Sequence, residues 1–180
     1  MTSLMGQWQN RRSRLRSVTV GVLCGLVSAA VGWAAPSTGF AASTPRCAPS
    51  HLRLDKVGES RFTSHRGWIF ALRNVGAVTC QLKGYPAAGL LGSSAQRMNT
   101  RIRHFGGPAR TVVMAPWQRG FFAITFAVSG PCSSAVFASG IRILPPGASS
   151  GLVWYAGRFD LCGPAPALLS VSPVASSRRF

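Results

Sequence analysis

Acidic side chains are almost missing: the 180 residues hold only three Asp plus Glu, against 20 Lys plus Arg and three His. That scarcity removes most acid–base chemistry, which needs positioned pairs of titratable groups. Asp55 and Glu59 flank a predicted turn and Asp160 stands near Cys162, so no two carboxylates are expected to face each other across a cleft as glycoside hydrolysis requires. No C-x-x-C occurs, and His51, His65 and His104 are scattered, so the ligand spacing of a zinc site is absent and no metal or cofactor is expected. Also missing is any window that sustains helical periodicity over three turns. Gly and Pro, at 20 and 12, show no collagen-like repeat, and 47% apolar residues exclude a disordered chain.

What is present begins with a leader. Arg11, Arg12, Arg14 and Arg16 precede an apolar run from Val18 to Ala35, which breaks at Pro36 and passes through small residues to Ala41. This is the pattern of a secretory signal over residues 1–41, with cleavage expected after Ala41, or after Ser43 as the alternative. The apolar run is just long enough to span a bilayer, so an uncleaved tether is the rival reading. Arg14 stands where a twin-arginine signal wants a bulky apolar residue, and Cys24 lacks the surroundings of a lipidation site. The expected location is therefore secreted or envelope-associated, with 42–46 a short linker, 47–173 the domain and 174–180 a flexible basic tail.

Export determines the cysteine arithmetic. Cys24 leaves with the leader, and Cys47, Cys80, Cys132 and Cys162 remain, an even number in an oxidising compartment. Four cysteines allow three pairings. Sequence proximity favours Cys47–Cys80 and Cys132–Cys162, although loop entropy grows only slowly with length.

Short apolar segments alternate with dense breakers, which predicts strands. They are expected at 51–57, 67–73, 78–83, 88–91, 111–114, 120–128, 140–144, 152–156 and 168–172. In the clearest, Phe122, Ile124, Phe126 and Val128 share one face, while Phe121, Ala123, Thr125 and Ala127 share the other. Eight or nine short strands imply an all-β, two-sheet antiparallel sandwich of immunoglobulin-like type, stapled by two disulfides, with a barrel as the alternative. Most Trp and Phe are assigned to its core, with Trp117 and Trp154 as the candidate exceptions. Gly147-Ala148-Ser149-Ser150-Gly151 matches G-x-S-x-G, but a Pro-Pro-Gly turn precedes it and a strand follows, so it reads as a hairpin loop, not a nucleophile elbow.

Cys47, Asn74 and the run Cys80-Gln81-Leu82-Lys83-Gly84-Tyr85-Pro86 resemble the C-x-L-x-G-Y-P hallmark of a secreted actinobacterial family, domain of unknown function 4232. Ala115-Pro116, Cys132, Pro146-Gly147, Cys162-Gly163 and Val171-Ser172-Pro173 agree with it, so the resemblance runs from Cys47 to Pro173. Departures are Gly58-Glu59-Ser60-Arg61, where a Gly-Ala-rich stretch is usual, and Trp117, where a Gly commonly follows the Pro. The resemblance implies a secreted or envelope-associated β-sandwich and carries over no catalytic residue.

Charge is the remaining functional signal. Without the leader, 16 basic and three acidic residues leave a net charge of +13, which points to polyanions. Arg97, Arg101, Arg103, His104 and Arg110 crowd the longest expected loop, and an extended Arg101–Arg103 segment would put both guanidinium groups on one face. The planar fork of Arg suits phosphate, carboxylate and sulfate. Arg97, Arg101, Arg103 and Arg110 are thus the candidate anion-binding residues of a non-catalytic module facing acidic cell-envelope polymers or anionic lipid headgroups. A small serine hydrolase is an alternative. A non-specific nucleic-acid binder ranks below it, because recognised motifs and an evenly spaced aromatic platform are missing. No partner protein is identifiable.

Overall fold

Alternation along residues 119–127 sets the layering. In a computed structural model, which describes residues 43–61, 64–128 and 134–179, Phe122, Ile124 and Phe126 are buried and point to one side of their strand. Ten strands are described: β1 (Leu52–Arg61), β2 (His65–Asn74), β3 (Cys80–Lys83), β4 (Ala87–Leu91), β5 (Thr100–His104), β6 (Thr111–Met114), β7 (Arg119–Ala127), β8 (Ala135–Leu144), β9 (Leu152–Cys162) and β10 (Ala167–Val171). A 3-10 turn at Pro49–His51 precedes β1. The expected leader, its cleavage site and Cys132 lie outside the described residues.

The fold is all-β and sandwich-like. A five-stranded sheet runs in the order β1-β2-β7-β10-β5, a three-stranded sheet in the order β4-β8-β9, and β3 pairs with β6 alone. Trp68, Phe70 and Leu72 from β2 and Leu169 and Val171 from β10 join the buried β7 residues. Against them pack Leu90, Ile141, Ile143, Phe159 and Leu161 of the three-stranded sheet and Leu82 and Met114 of the pair. Trp68 is the hub, with edge contacts to Phe159 at 4.7 Å, Phe126 at 4.8 Å and Trp154 at 5.0 Å between ring centroids. Trp154 is therefore a core flank, whereas Trp117 is 66% exposed.

The expected topology needs three corrections. The described residues form three hydrogen-bonded sheets, not two, because Gly84 at φ +129 followed by Pro86, which lacks an N–H, separates β3 from β4. One pair is not antiparallel: β5 lies parallel to β10. And residues 100–104, which the sequence places in a loop because Thr-Arg-Ile-Arg-His offers no sustained apolar face, form β5. Gly58, expected to end the first strand, is absorbed instead by a bulge between Lys56 and Gly58, and β1 continues to Arg61.

After β10 and Ser172-Pro173, the chain pairs once more with β7 through an isolated bridge. Ala175 exchanges both backbone hydrogen bonds with Phe121, and Val174 is buried. The ordered domain thus extends two residues beyond the expected boundary at Pro173. At the other end, Cys47 is bonded to Cys80, as sequence proximity favours, and Cys47 and Gln81 anchor residues 45–47 beside β3 through two backbone hydrogen bonds. The favoured Cys132–Cys162 bridge has Cys132 outside the described residues. Gly147–Gly151 falls in the loop between β8 and β9, strand to strand.

Candidate anion-binding groove

The parallel pairing of β5 with β10 decides where the arginines point. Its register sets Arg101 against Leu168 and Arg103 against Ser170, while Ser170 faces Thr125 across the β10–β7 ladder. Residues two apart on a strand share a face, so Arg101 and Arg103 stand together on the outer side of the five-stranded sheet. Beside them run Leu168 and Ser170, then Thr125 and Ala127, then His65 on β2. Ser170, Thr125 and Ala127, shorter than the flanking Arg101, Arg103 and His65, leave a groove of about 610 Å³, with Gly163, Pro164 and Pro166 also lining it. Among the described residues the groove carries no carboxylate, and its polar side chains include the two guanidinium groups, the His65 ring and the hydroxyls of Thr125 and Ser170.

The few acids lie elsewhere. Asp55 pairs with Arg53 at 3.1 Å and with Arg73 at 3.6 Å. Glu59 receives Lys56 at 2.8 Å, Arg61 at 3.0 Å and Arg66 at 3.3 Å. Positive charge on the β1–β2 side is thereby partly neutralised, whereas among the described residues Arg101 and Arg103 have no ion-pair partner. An unpaired guanidinium keeps its charge-assisted donors open to an anion.

The four candidate arginines do not form one cluster. Arg101 and Arg103 share the groove, but Arg97 lies with Arg142 along the β4 edge, and Arg110 lies with Arg179 beside Gly106 and Gly107. Their closeness in sequence is undone by β5, which carries the chain from one edge of the fold to another. Conversely, His65, Thr125 and Ser170 line the groove although no motif in the sequence marks them. Outward positions on their strands were legible; adjacency to β5 was not.

The C-x-L-x-G-Y-P segment is structural. Tyr85 stacks on His104 at 4.2 Å and donates its hydroxyl to the Gly107 carbonyl at 3.0 Å, so it fixes the end of β5 and the loop that follows. Asn74 likewise ties the β2–β3 turn to the end of β6.

Glu59 offers a test of the paired side. The Lys56 ammonium donating to its carboxylate, with Arg61 adding to the effect, holds its pKa below the usual carboxylate range against some desolvation. A depressed folded-state pKa means that the unfolded chain takes up the proton first on acidification. The stabilisation is then complete above the ordinary Glu range and lost as pH falls through the folded value. Unfolding titrations across the acid range should show this loss, and Glu59→Gln should flatten the slope; an unchanged slope in the variant would refute the assignment.

Fold and groove together define an all-β, sandwich-like domain with the Cys47–Cys80 disulfide and an arginine-lined groove on one sheet face. The chain belongs to the family described as domain of unknown function (DUF4232), whose model matches residues 47–175. No curated protein and no solved structure matches it.

Proposed function

We propose that this protein is an exported, non-catalytic module of the cell envelope that holds acidic envelope polymers in the groove beside β5. The observation that carries the reading is the pair Arg101 and Arg103, side by side on an edge strand, facing an open groove and bearing no ion-pair partner among the described residues. A guanidinium pair at strand spacing can engage successive anionic groups of an extended chain, each through a two-pronged hydrogen bond. Thr125 and Ser170 add neutral donors, as recognition of phosphate or carboxylate oxygens needs. Export is supported by the leader and by the Cys47–Cys80 bridge, which suits an oxidising compartment.

The test is equilibrium binding of residues 42–180, oxidised, to purified acidic envelope polymers across a salt series. Saturable binding that weakens with salt is expected. Arg101→Ala/Arg103→Ala should lower the affinity on the order of a hundredfold at low salt, two charge-assisted hydrogen-bonding groups being lost. Arg97→Ala and Arg110→Ala should leave it near the wild-type value. Equal, weak binding to every polyanion by wild type and double variant would reduce the charge to a bulk property and end the proposal.

A further inference from the structure

A second surface, away from the groove, is built differently. The turn 75–79 after β2 and the turn 115–118 before β7 are laced together: the Asn74 N–H donates to the Gln118 carbonyl at 2.9 Å, and the Trp117 N–H donates to the Asn74 carbonyl at 2.7 Å. On this rigid base stand three apolar side chains in solvent, Trp117, Val78 at 65% exposure and Val75. Trp117 also has φ +68, the left-handed region that a residue with a Cβ avoids. Backbone strain combined with an exposed indole on a well-tied turn is what a functional tip shows, since neither folding nor solubility gains from it.

The surroundings of the tip identify what it meets. Cross-strand register places Arg53, Arg73 and Arg119 in one row at the adjoining ends of β1, β2 and β7. The Arg73 guanidinium lies 5.9 Å from the Trp117 ring. Asp55 engages Arg53 and Arg73, and Arg119 has no ion-pair partner among the described residues. Exposed Trp and Val fringed by arginine match the two layers of a bilayer surface, apolar chains beneath anionic phosphates. Trp is favoured at that boundary because its ring is amphipathic. We infer that this tip docks the domain on an anionic lipid bilayer, with Trp117 and Val78 entering the headgroup–acyl boundary and Arg73 and Arg119 meeting lipid phosphates. The inference does not depend on the polymer groove.

Residues 41–180 form one compact unit that contains the whole described core, and this unit is used so that the apolar leader cannot itself insert. It is mixed with phosphatidylcholine vesicles with and without phosphatidylglycerol, some carrying brominated acyl chains. Among the described tryptophans Trp68 is buried and Trp154 flanks the core, so quenching by bromine reports Trp117. Anionic vesicles should bind the protein and quench it, and neutral ones much less. Arg119→Ala should weaken binding to anionic vesicles about fivefold, the share of one surface arginine. Trp117→Gly should weaken it about tenfold, as for loss of a buried apolar side chain, and abolish the quenching. Because glycine accepts positive φ, the same variant should unfold at a higher temperature, so weaker binding could not be attributed to a damaged fold. Arg101→Ala/Arg103→Ala should bind vesicles like wild type, which separates this surface from the groove. Unchanged vesicle binding by Trp117→Gly, absence of quenching, or a Trp117-dependent dimer in solution would overturn the inference.

Discussion

Asn74→Ala is expected to destabilise the domain by about 3 kcal/mol, measured as a lower urea midpoint with an unchanged slope. Asn74 is 1% exposed, yet each of its polar groups is engaged. Its side-chain amide donates to the Val78 and Met114 carbonyls at 2.9 and 3.0 Å, and its side-chain carbonyl accepts from the Gly76 N–H at 3.0 Å. Alanine would keep the strand but strand those three partners, and an unsatisfied buried group costs about 1–3 kcal/mol. The Met114 carbonyl is the most enclosed of the three and would account for the largest share. Asn74→Asp should be at least as damaging, because a carboxylate would face two carbonyl oxygens where an NH₂ now donates. A loss below about 1 kcal/mol in the alanine variant would show that water replaces these bonds freely.

Removing the Cys47–Cys80 bridge is expected to cost about 4 kcal/mol, the chain-entropy value for a loop closed across 33 residues. The effect should exceed the loss of two half-cystine side chains alone, because the bridge also holds the segment before β1 against β3. There the Gln81 N–H donates to the Pro45 carbonyl at 2.8 Å and the Gln81 side chain donates to the Thr44 carbonyl at 2.6 Å. Urea unfolding of Cys47→Ala/Cys80→Ala against the oxidised wild type measures it. Hydrogen exchange should locate the lost protection in residues 44–47 and β3 first. A variant as stable as wild type would place the stabilisation elsewhere, in the shared core.

Alternation on β2 and β7 and the breakers between segments were enough to identify nine of the ten strands and the all-β class, because a buried face leaves a period of two in the sequence. Cys47–Cys80 was favoured for a simple reason as well: residues close along a chain are cheaply brought together. The candidate groove is only half legible in the sequence. Charge singles out Arg101 and Arg103, but nearness in sequence groups Arg97 and Arg110 with them, and nearness measures contact poorly once a strand of about 17 Å intervenes. β5 itself was hidden because an exposed edge strand of Thr-Arg-Ile-Arg-His buries too little to impose a pattern.

Composition and periodicity alone therefore determined the fold class, the strong positive charge and the shortage of catalytic acids, since each is a property of residue types or of short-range order along one chain. Only the tertiary structure decided that β5 lies parallel to β10, that Arg101 and Arg103 border a groove with Thr125, Ser170 and His65, and that Trp117 stands in solvent above Arg73. Those facts depend on which strands become neighbours. Strand order is set by how whole faces pack and how loops close, energies summed over residues far apart in the chain, and no local pattern records them.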